Sequence, residues 1–454
     1  MSYQNANVES VTDNEVNQPV PAKKNLFSSF TEDYWAVTIA GVIIIAILAL
    51  TRWVPGFKLP LPAYKWETSS DLLNKVLSTN NLLLALLTGV IILVLSGIAI
   101  LLSGGSIKNY VKGFFLIYVL AVIALIIAGN KVVNYYGFEY VIFALILGLL
   151  LGNLTTVPAW LKEAARSEFF IKTGLVIYGT SILFTDIVKA GLPGLLQSVL
   201  VVSVVWFVAL WISRKLKVDD EFGVILASAV AICGVSAAIV ASGAIKGDKK
   251  KLSYVTTLVL LVAVPMMVIQ PWLSKYLGLS EIVGGAWLGG TLDTTASVSA
   301  AAQQVGENAV KAGVIVKFSQ NVLIGVAAFF IALWWTYRKG IAVEGAEKPG
   351  LGVVWERFPK FVLGFVAASL LFSFRIPTEL ANAVSPVFSG LRTVWFALAF
   401  VAIGLEARFA DLVKTDGGRP AVAFISAQLF NIIWTLLWAY LLFGGVLFPV
   451  PDIK

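Results

Sequence analysis

Histidine is absent from the 454-residue chain, and cysteine occurs once, at Cys233. The first absence excludes Ser-His-Asp and Cys-His catalysis, histidine metal sites and the usual side-chain switch near neutral pH. The second excludes a disulfide framework or a multi-thiolate metal site within one chain, and Cys233 reads as a small packing residue with no cationic neighbour to activate it. Charge is scarce too: 13% of residues are Asp, Glu, Lys or Arg, against roughly 25% in an ordinary soluble domain. A Walker-type phosphate loop is missing, which argues against an ATP-driven pump. So is the interfacial cluster of acids that membrane enzymes use. The chain is expected to be no enzyme and to need no cofactor.

What fills the chain instead is apolar surface, with 58% of residues hydrophobic. One soluble core could not hide that much, whereas a bilayer accepts it. About 20 apolar residues cross the hydrocarbon, and that ruler gives spans near 34–52, 82–102, 114–133, 138–152, 168–184, 192–213, 254–277, 310–335, 357–374, 391–409 and 419–444. The expected class is all-α, a polytopic transmembrane bundle in the inner or plasma membrane. Residues 1–33 read as a disordered cytoplasmic tail without a signal peptide, 34–137 as N-terminal spans with an interfacial segment around Tyr64 and Trp66, and 138–446 as the core. The net charge of +8 resides in short clusters such as Arg214-Lys215-Leu216-Lys217 and Lys249-Lys250-Lys251. That is the pattern of cytoplasmic loops, so nucleic acid is not an expected partner.

Two membrane-length segments differ in kind. Residues 222–245 contain Ala231-Ile-Cys233-Gly234-Val-Ser236-Ala237, and residues 282–304 contain Gly289-Gly290-Thr291-Leu292-Asp293-Thr294-Thr295-Ala-Ser297. Glycine weakens a helix and hydroxyls compete for its backbone partners, so both are expected to break. Unwound backbone at membrane depth is tolerated only against protein or a water-filled cavity; the alternative is close helix packing through small residues. If both segments are re-entrant hairpins, the basic clusters at 214–217, 249–251 and 338–360 share one side with the N-terminus. That arrangement, with a cytoplasmic N-terminus, is preferred.

An internal repeat adds to this. Gly179, Phe184, Asp186, Val188 and Lys189 recur at one offset as Gly404, Phe409, Asp411, Val413 and Lys414. The copies, near 138–213 and 357–444, begin an odd number of crossings apart and should be inverted, a recurring transporter plan. The second copy ends without a broken segment after it, so plain tandem duplication is insufficient.

Intramembrane ionisable residues are functional candidates because each costs roughly 2.5–3.5 kcal/mol at a helix centre. Asp293, among the hydroxyls of Thr291, Thr294, Thr295 and Ser297, suits a Na⁺ ion through hard oxygens or a carried proton; the plainer role is a half-helix cap. Lys317, Gln320 and Asn321 share one helix face and suit an anion, or else Lys317 forms a structural ion pair with Asp293. Glu406 and Arg408 close the repeated motif near a helix end and Arg392 opens that span, so these three are expected near the interface in structural or gating ion pairs. Gln428 and Asn431, about one turn apart, read as interhelical hydrogen-bonding residues.

These residues carry a resemblance. From about Val141 to Gly445, roughly two-thirds of the chain, the sequence resembles the YeiH-like family of sulfate exporters. The likeness rests on Ala231 to Ala237, Gly289 to Asp293, Glu307-Asn308-Ala309 leading to Lys317, and the helix-end glycines Gly179 and Gly404. It implies a membrane transporter whose nominal activity is anion export. Asp293 stands where the family pattern has His and Gln320 where it has Arg. The two changes exchange a proton carrier for a carboxylate and remove a positive charge, so neither supports sulfate itself.

The combined expectation is a secondary transporter of a small sulfate- or sulfonate-like anion, coupled to Na⁺ or H⁺. Lys317, Gln320, Asn321, Gly234, Ser236, Gly290 and Thr291 would face the substrate, and Asp293, Thr294, Thr295 and Ser297 the coupling ion. A homodimer is expected by architectural analogy. The rivals are an anion channel and a non-transporting membrane scaffold subunit.

Overall fold

The computed structural model describes residues 31–54, 59–135, 140–245, 247–339, 359–407 and 418–453. Among them the regular structure is helical, apart from an isolated bridge between Trp66 and Asn130. In chain order the helices are α1 (Glu32–Trp53), α2 (Ser69–Asp71), α3 (Thr79–Leu102), α4 (Ile107–Ala128), α5 (Lys131–Tyr135), α6 (Tyr140–Leu154), α7 (Ala159–Ala164), α8 (Ser167–Tyr178) and α9 (Phe184–Lys215). They continue as α10 (Asp220–Ser228), α11 (Val235–Ile245), α12 (Lys249–Tyr276), α13 (Glu281–Thr291), α14 (Thr295–Val305), α15 (Glu307–Lys339), α16 (Lys360–Phe374), α17 (Thr378–Glu406) and α18 (Arg419–Phe443).

Eight of these, α1, α3, α4, α9, α12, α15, α17 and α18, are long and apolar enough to cross a bilayer. The spans expected near 138–152, 168–184 and 357–374 are the shorter helices α6, α8 and α16, of 15, 12 and 15 residues. Ile45, Leu83, Phe207 and Ile433 turn outward and are exposed, as lipid-facing side chains are. Trp66 of the expected interfacial segment docks on the end of α4: its indole N–H donates to Ile126 O at 2.7 Å and its backbone pairs with Gly129 and Lys131.

Glycine sets how closely helices approach. Across α6 and α17, a β-carbon on Gly148 would lie 2.2 Å from Val401 O and one on Gly404 2.5 Å from Leu145 O. Such contact is how small residues drive association where lipid gives no hydrophobic drive.

The repeated pair α8–α9 packs on its counterpart α17–α18, and the partners run antiparallel. Ser167 at the start of α8 donates to the Glu406 carboxylate at the end of α17, 2.7 Å away. Lys189, near the start of α9, reaches Asp452 O beyond the end of α18 at 2.9 Å. The two copies are therefore inverted. Arg408, Phe409, Asp411, Val413 and Lys414 lie outside the described residues.

Both unusual segments are re-entrant hairpins. The residues before α10 and after α11 meet: Lys251 Nζ lies 2.9 Å from the carboxylates of both Asp219 and Glu221. The ends of α13–α14 meet as well, the Asn308 N–H donating to Glu281 Oε2 at 3.1 Å. Between the hairpins runs α12, whose 28 residues extend about 42 Å at 1.5 Å per residue. It crosses the layer, so the hairpins enter from opposite faces. Each entry is capped locally, by Asp219 accepting from Phe222 N and by Ser280 accepting from Val283 N.

Candidate functional site

The hairpin tips meet inside the bundle. Helix α10 widens into a π-helical turn, Ala229–Cys233, and stops at Gly234, whose φ is 61° and ψ −115°. Only glycine adopts that backbone readily. A β-carbon there would also sit 2.7 Å from Val259 Cγ1 and 3.1 Å from Asp293 Cβ. The second tip unwinds at Leu292, whose ψ is 137°. Thr294 then starts α14 by accepting from Ser297 N at 3.0 Å.

Breaking a helix frees carbonyls that must find donors. In this protein two long helices supply them. On the first hairpin Val230 O accepts from Asn431 at 3.2 Å, Ala231 O from Gln320 at 2.9 Å and Ile232 O from Lys317 at 2.7 Å. On the second, Gly290 O accepts from Gln320 at 3.3 Å, Thr291 O from Gln428 at 2.8 Å and Leu292 O from Lys317 at 2.8 Å. Lys317 also donates to Gln320 Oε1 at 2.8 Å, which engages all three of its N–H groups. An ammonium between two half-helix C-termini also answers their partial negative charge. The face of Lys317 and Gln320 is thus turned to the two breaks, and Asn321 donates to Thr295 Oγ1 at 3.2 Å.

At the other side of the junction the half-helices α11 and α14 begin. Asp293 is 1% exposed and neither carboxylate oxygen has a hydrogen-bond partner among the described residues. It forms no direct ion pair with Lys317, whose ammonium is committed to the carbonyls. The Asn321 side-chain oxygen is likewise buried without a donor. Asn321 meets the Thr295 hydroxyl, and Thr294, next to Asp293 in the chain, is in contact with the Ser297 hydroxyl. Unpartnered carboxylate and amide oxygens beside hydroxyls fit a small hard cation or a proton. No group of three or more Asp, Glu, Cys or His side chains placed to hold a metal ion is found among the described residues, and Asp293 brings a single carboxylate where divalent-ion sites concentrate several.

The remaining expected residues fall as follows. Ser236 is exposed on α11. Gly290 gives room to Gln197 Nε2, 2.6 Å from where its β-carbon would be, and the Thr291 hydroxyl folds back on Trp287 O. Glu406 is at a helix end as expected, but it accepts from Ser167 rather than forming an ion pair among the described residues. Arg392 is the middle residue of the 29-residue α17 and lies over the Tyr178 ring at 4.3 Å; Gly390, two residues before it, faces Leu61 of the segment that precedes α2. Sequence reasoning missed Gln197, which donates to Ala286 O at 2.8 Å; an amide alone in the apolar run of α9 was the available signal. It also missed Tyr178, for which the sequence carries none.

The fold and this junction define a polytopic α-helical membrane protein with two opposed re-entrant hairpins. Comparison with known proteins gives the family. The model described as "Conserved hypothetical protein 698" matches residues 112–423, and the chain belongs to that family, the UPF0324 membrane proteins. A UPF0324 membrane protein from Rhodopirellula baltica is 38% identical over 317 residues, covering 68% of this chain and 58% of its own. One from Nitratidesulfovibrio vulgaris is 37% identical over 322 residues, with 68% and 55% covered. The UPF0324 inner membrane protein YeiH of Salmonella typhi is 25% identical over 316 residues, with 68% and 84% covered. The matched region spans somewhat more than half the length of the first two relatives. No solved structure matches the chain.

Proposed function

We propose that the chain is a secondary transporter of a small anion, with Na⁺ or H⁺ as the coupling ion held at Asp293, and that it is not an enzyme. One observation carries this reading: a fully buried carboxylate with no donor stands where two hairpins from opposite faces meet. A bare carboxylate there is costly, and a cation or proton removes the cost. Both entry paths are built from hairpins that open to one face each, which suits alternating access around a fixed central site.

Lys317 and Gln320 act in this reading as positioning residues that clamp the two tips together. The face carrying Arg214, Lys215, Lys217, Lys250 and Lys251 is assigned to the cytoplasm, because basic residues accumulate on that side. The start of α1 is assigned to the same face, since Glu32 pairs with Arg166 ahead of α8 at 3.3 Å and α9 runs back to Arg214 after α8.

The test is gradient-driven anion uptake by the purified chain in liposomes, with sulfate, sulfite and methanesulfonate as probes. Uphill accumulation under a Na⁺ or proton gradient, lost in Asp293→Asn, is the expected result. Flux that only runs downhill favours a channel, and no flux favours a scaffold subunit. Uphill flux unchanged in Asp293→Asn overturns the assignment of the coupling site.

A further inference from the structure

A second group of polar atoms lies away from the hairpin tips, on α8 and α17. Arg392 is half-buried at the centre of α17, next to Thr393, which lines a pocket together with Lys65, Glu67 and Lys131. Its guanidinium lies over the Tyr178 ring at 4.3 Å. A guanidinium has five N–H donors, yet among the described residues its one acceptor is Ser389 Oγ, at the long distance of 3.5 Å. The Tyr178 hydroxyl is buried and has no partner among the described residues either. Cation–π contact satisfies the face of the guanidinium and leaves its in-plane donors unanswered.

These groups have one chemistry in common. Both present N–H or O–H donors that no carboxylate accepts among the described residues, although Glu307 is near enough to act on Tyr178 through space, and the planar fork of arginine matches two oxygens on one centre. The second hairpin is a neighbour: its helix α14 packs against both α8 and α17. The Tyr140 hydroxyl donates to Gln303 Oε1 of α14 at 2.7 Å.

We propose that Arg392 and Tyr178 form a recognition site for the substrate's oxyanion group, a carboxylate, sulfonate or sulfate, beside the hairpin that carries Asp293. This rests on the transporter reading for the word substrate, while the binding it requires is measurable without transport. Lys317 has no donor to spare for an anion, so the positive end of the substrate path is Arg392.

The test is a thermal-shift titration of the purified full chain with sulfate, methanesulfonate, acetate and chloride. A saturable rise with at least one oxyanion, weak or absent with chloride, is expected. Arg392→Gln should weaken that response at least tenfold. Arg392→Lys, which keeps charge and cation–π contact but loses the fork, should weaken it less, and Tyr178→Phe about threefold with the ligand-free transition unchanged. An undiminished oxyanion response in Arg392→Gln, a response to chloride as strong as to the oxyanions, or none to any of the four anions in the parent protein overturns the proposal. Asp293→Asn is carried alongside and should keep the anion response. Lost uphill flux in Asp293→Asn with undiminished binding in Arg392→Gln would sink this site and spare the transporter reading. The converse pattern would sink the coupling site and spare this one.

Discussion

Lys317→Met separates a clamp from a substrate ligand. In the structure the ammonium serves Ile232 O and Leu292 O, one from each broken hairpin, together with Gln320 Oε1. Methionine keeps the length and volume and donates nothing. Two buried backbone carbonyls then lose charged donors, each worth about 1.5–3 kcal/mol. Removal of the buried charge itself returns part of that. A net loss of about 3 kcal/mol from the unpaired carbonyls, at about 2 °C per kcal/mol for a large domain, lowers the unfolding transition by roughly 6 °C. The assay is scanning fluorimetry of detergent-solubilised protein. Asp293→Asn is the control: its carboxylate makes no hydrogen bond among the described residues, so its transition should stay within about 2 °C of the parent. If Lys317→Met melts with the parent and only loses anion response, the clamp is wrong and the lysine faces substrate.

Other outcomes follow from the same geometry. Gly234→Ala should cost about 1–3 kcal/mol for the backbone alone and more from contact with Val259; Val259→Ala in the same chain should recover the contact part, read by the same melting assay. Asn431→Leu removes donors from Val230 O and Thr291 O and should destabilise by about 1–3 kcal/mol, a loss that Thr435→Val alone, which breaks only the bond to Asn431 Oδ1, should not reproduce. Glu406→Ala leaves the Ser167 N–H and hydroxyl without acceptors and should cost about 1–2 kcal/mol, while Glu406→Gln retains most of the stability.

The two breaks were legible because their cause is local: Gly234 takes a positive φ, and after Leu292 the Thr294 hydroxyl caps a new helix instead of continuing the old one. Their re-entrant form was legible only through charge, since Lys251 meets Asp219 and Glu221 by tertiary contact. The shared face of Lys317, Gln320 and Asn321 was readable from helical spacing, but its partners were not. Those partners are carbonyls that exist as free acceptors only once segments 25 and 85 residues away have unwound. The span expected at 391–409 begins earlier than that, at Thr378, ahead of the polar residues Asn382 and Ser385. The structure continues the helix through Pro386, as packed neighbours in a membrane permit.

Sidedness labelling tests the opposed hairpins most directly. In a Cys233→Ser background, single cysteines at the exposed positions Lys215, Lys250, Lys275 and Glu307 are reacted with an impermeant maleimide in sealed, oriented vesicles. Opposed hairpins predict that positions 215 and 250 react from one side and 275 and 307 from the other. Two fully crossing segments would instead pair 215 with 275 and 250 with 307, and that result would contradict the account.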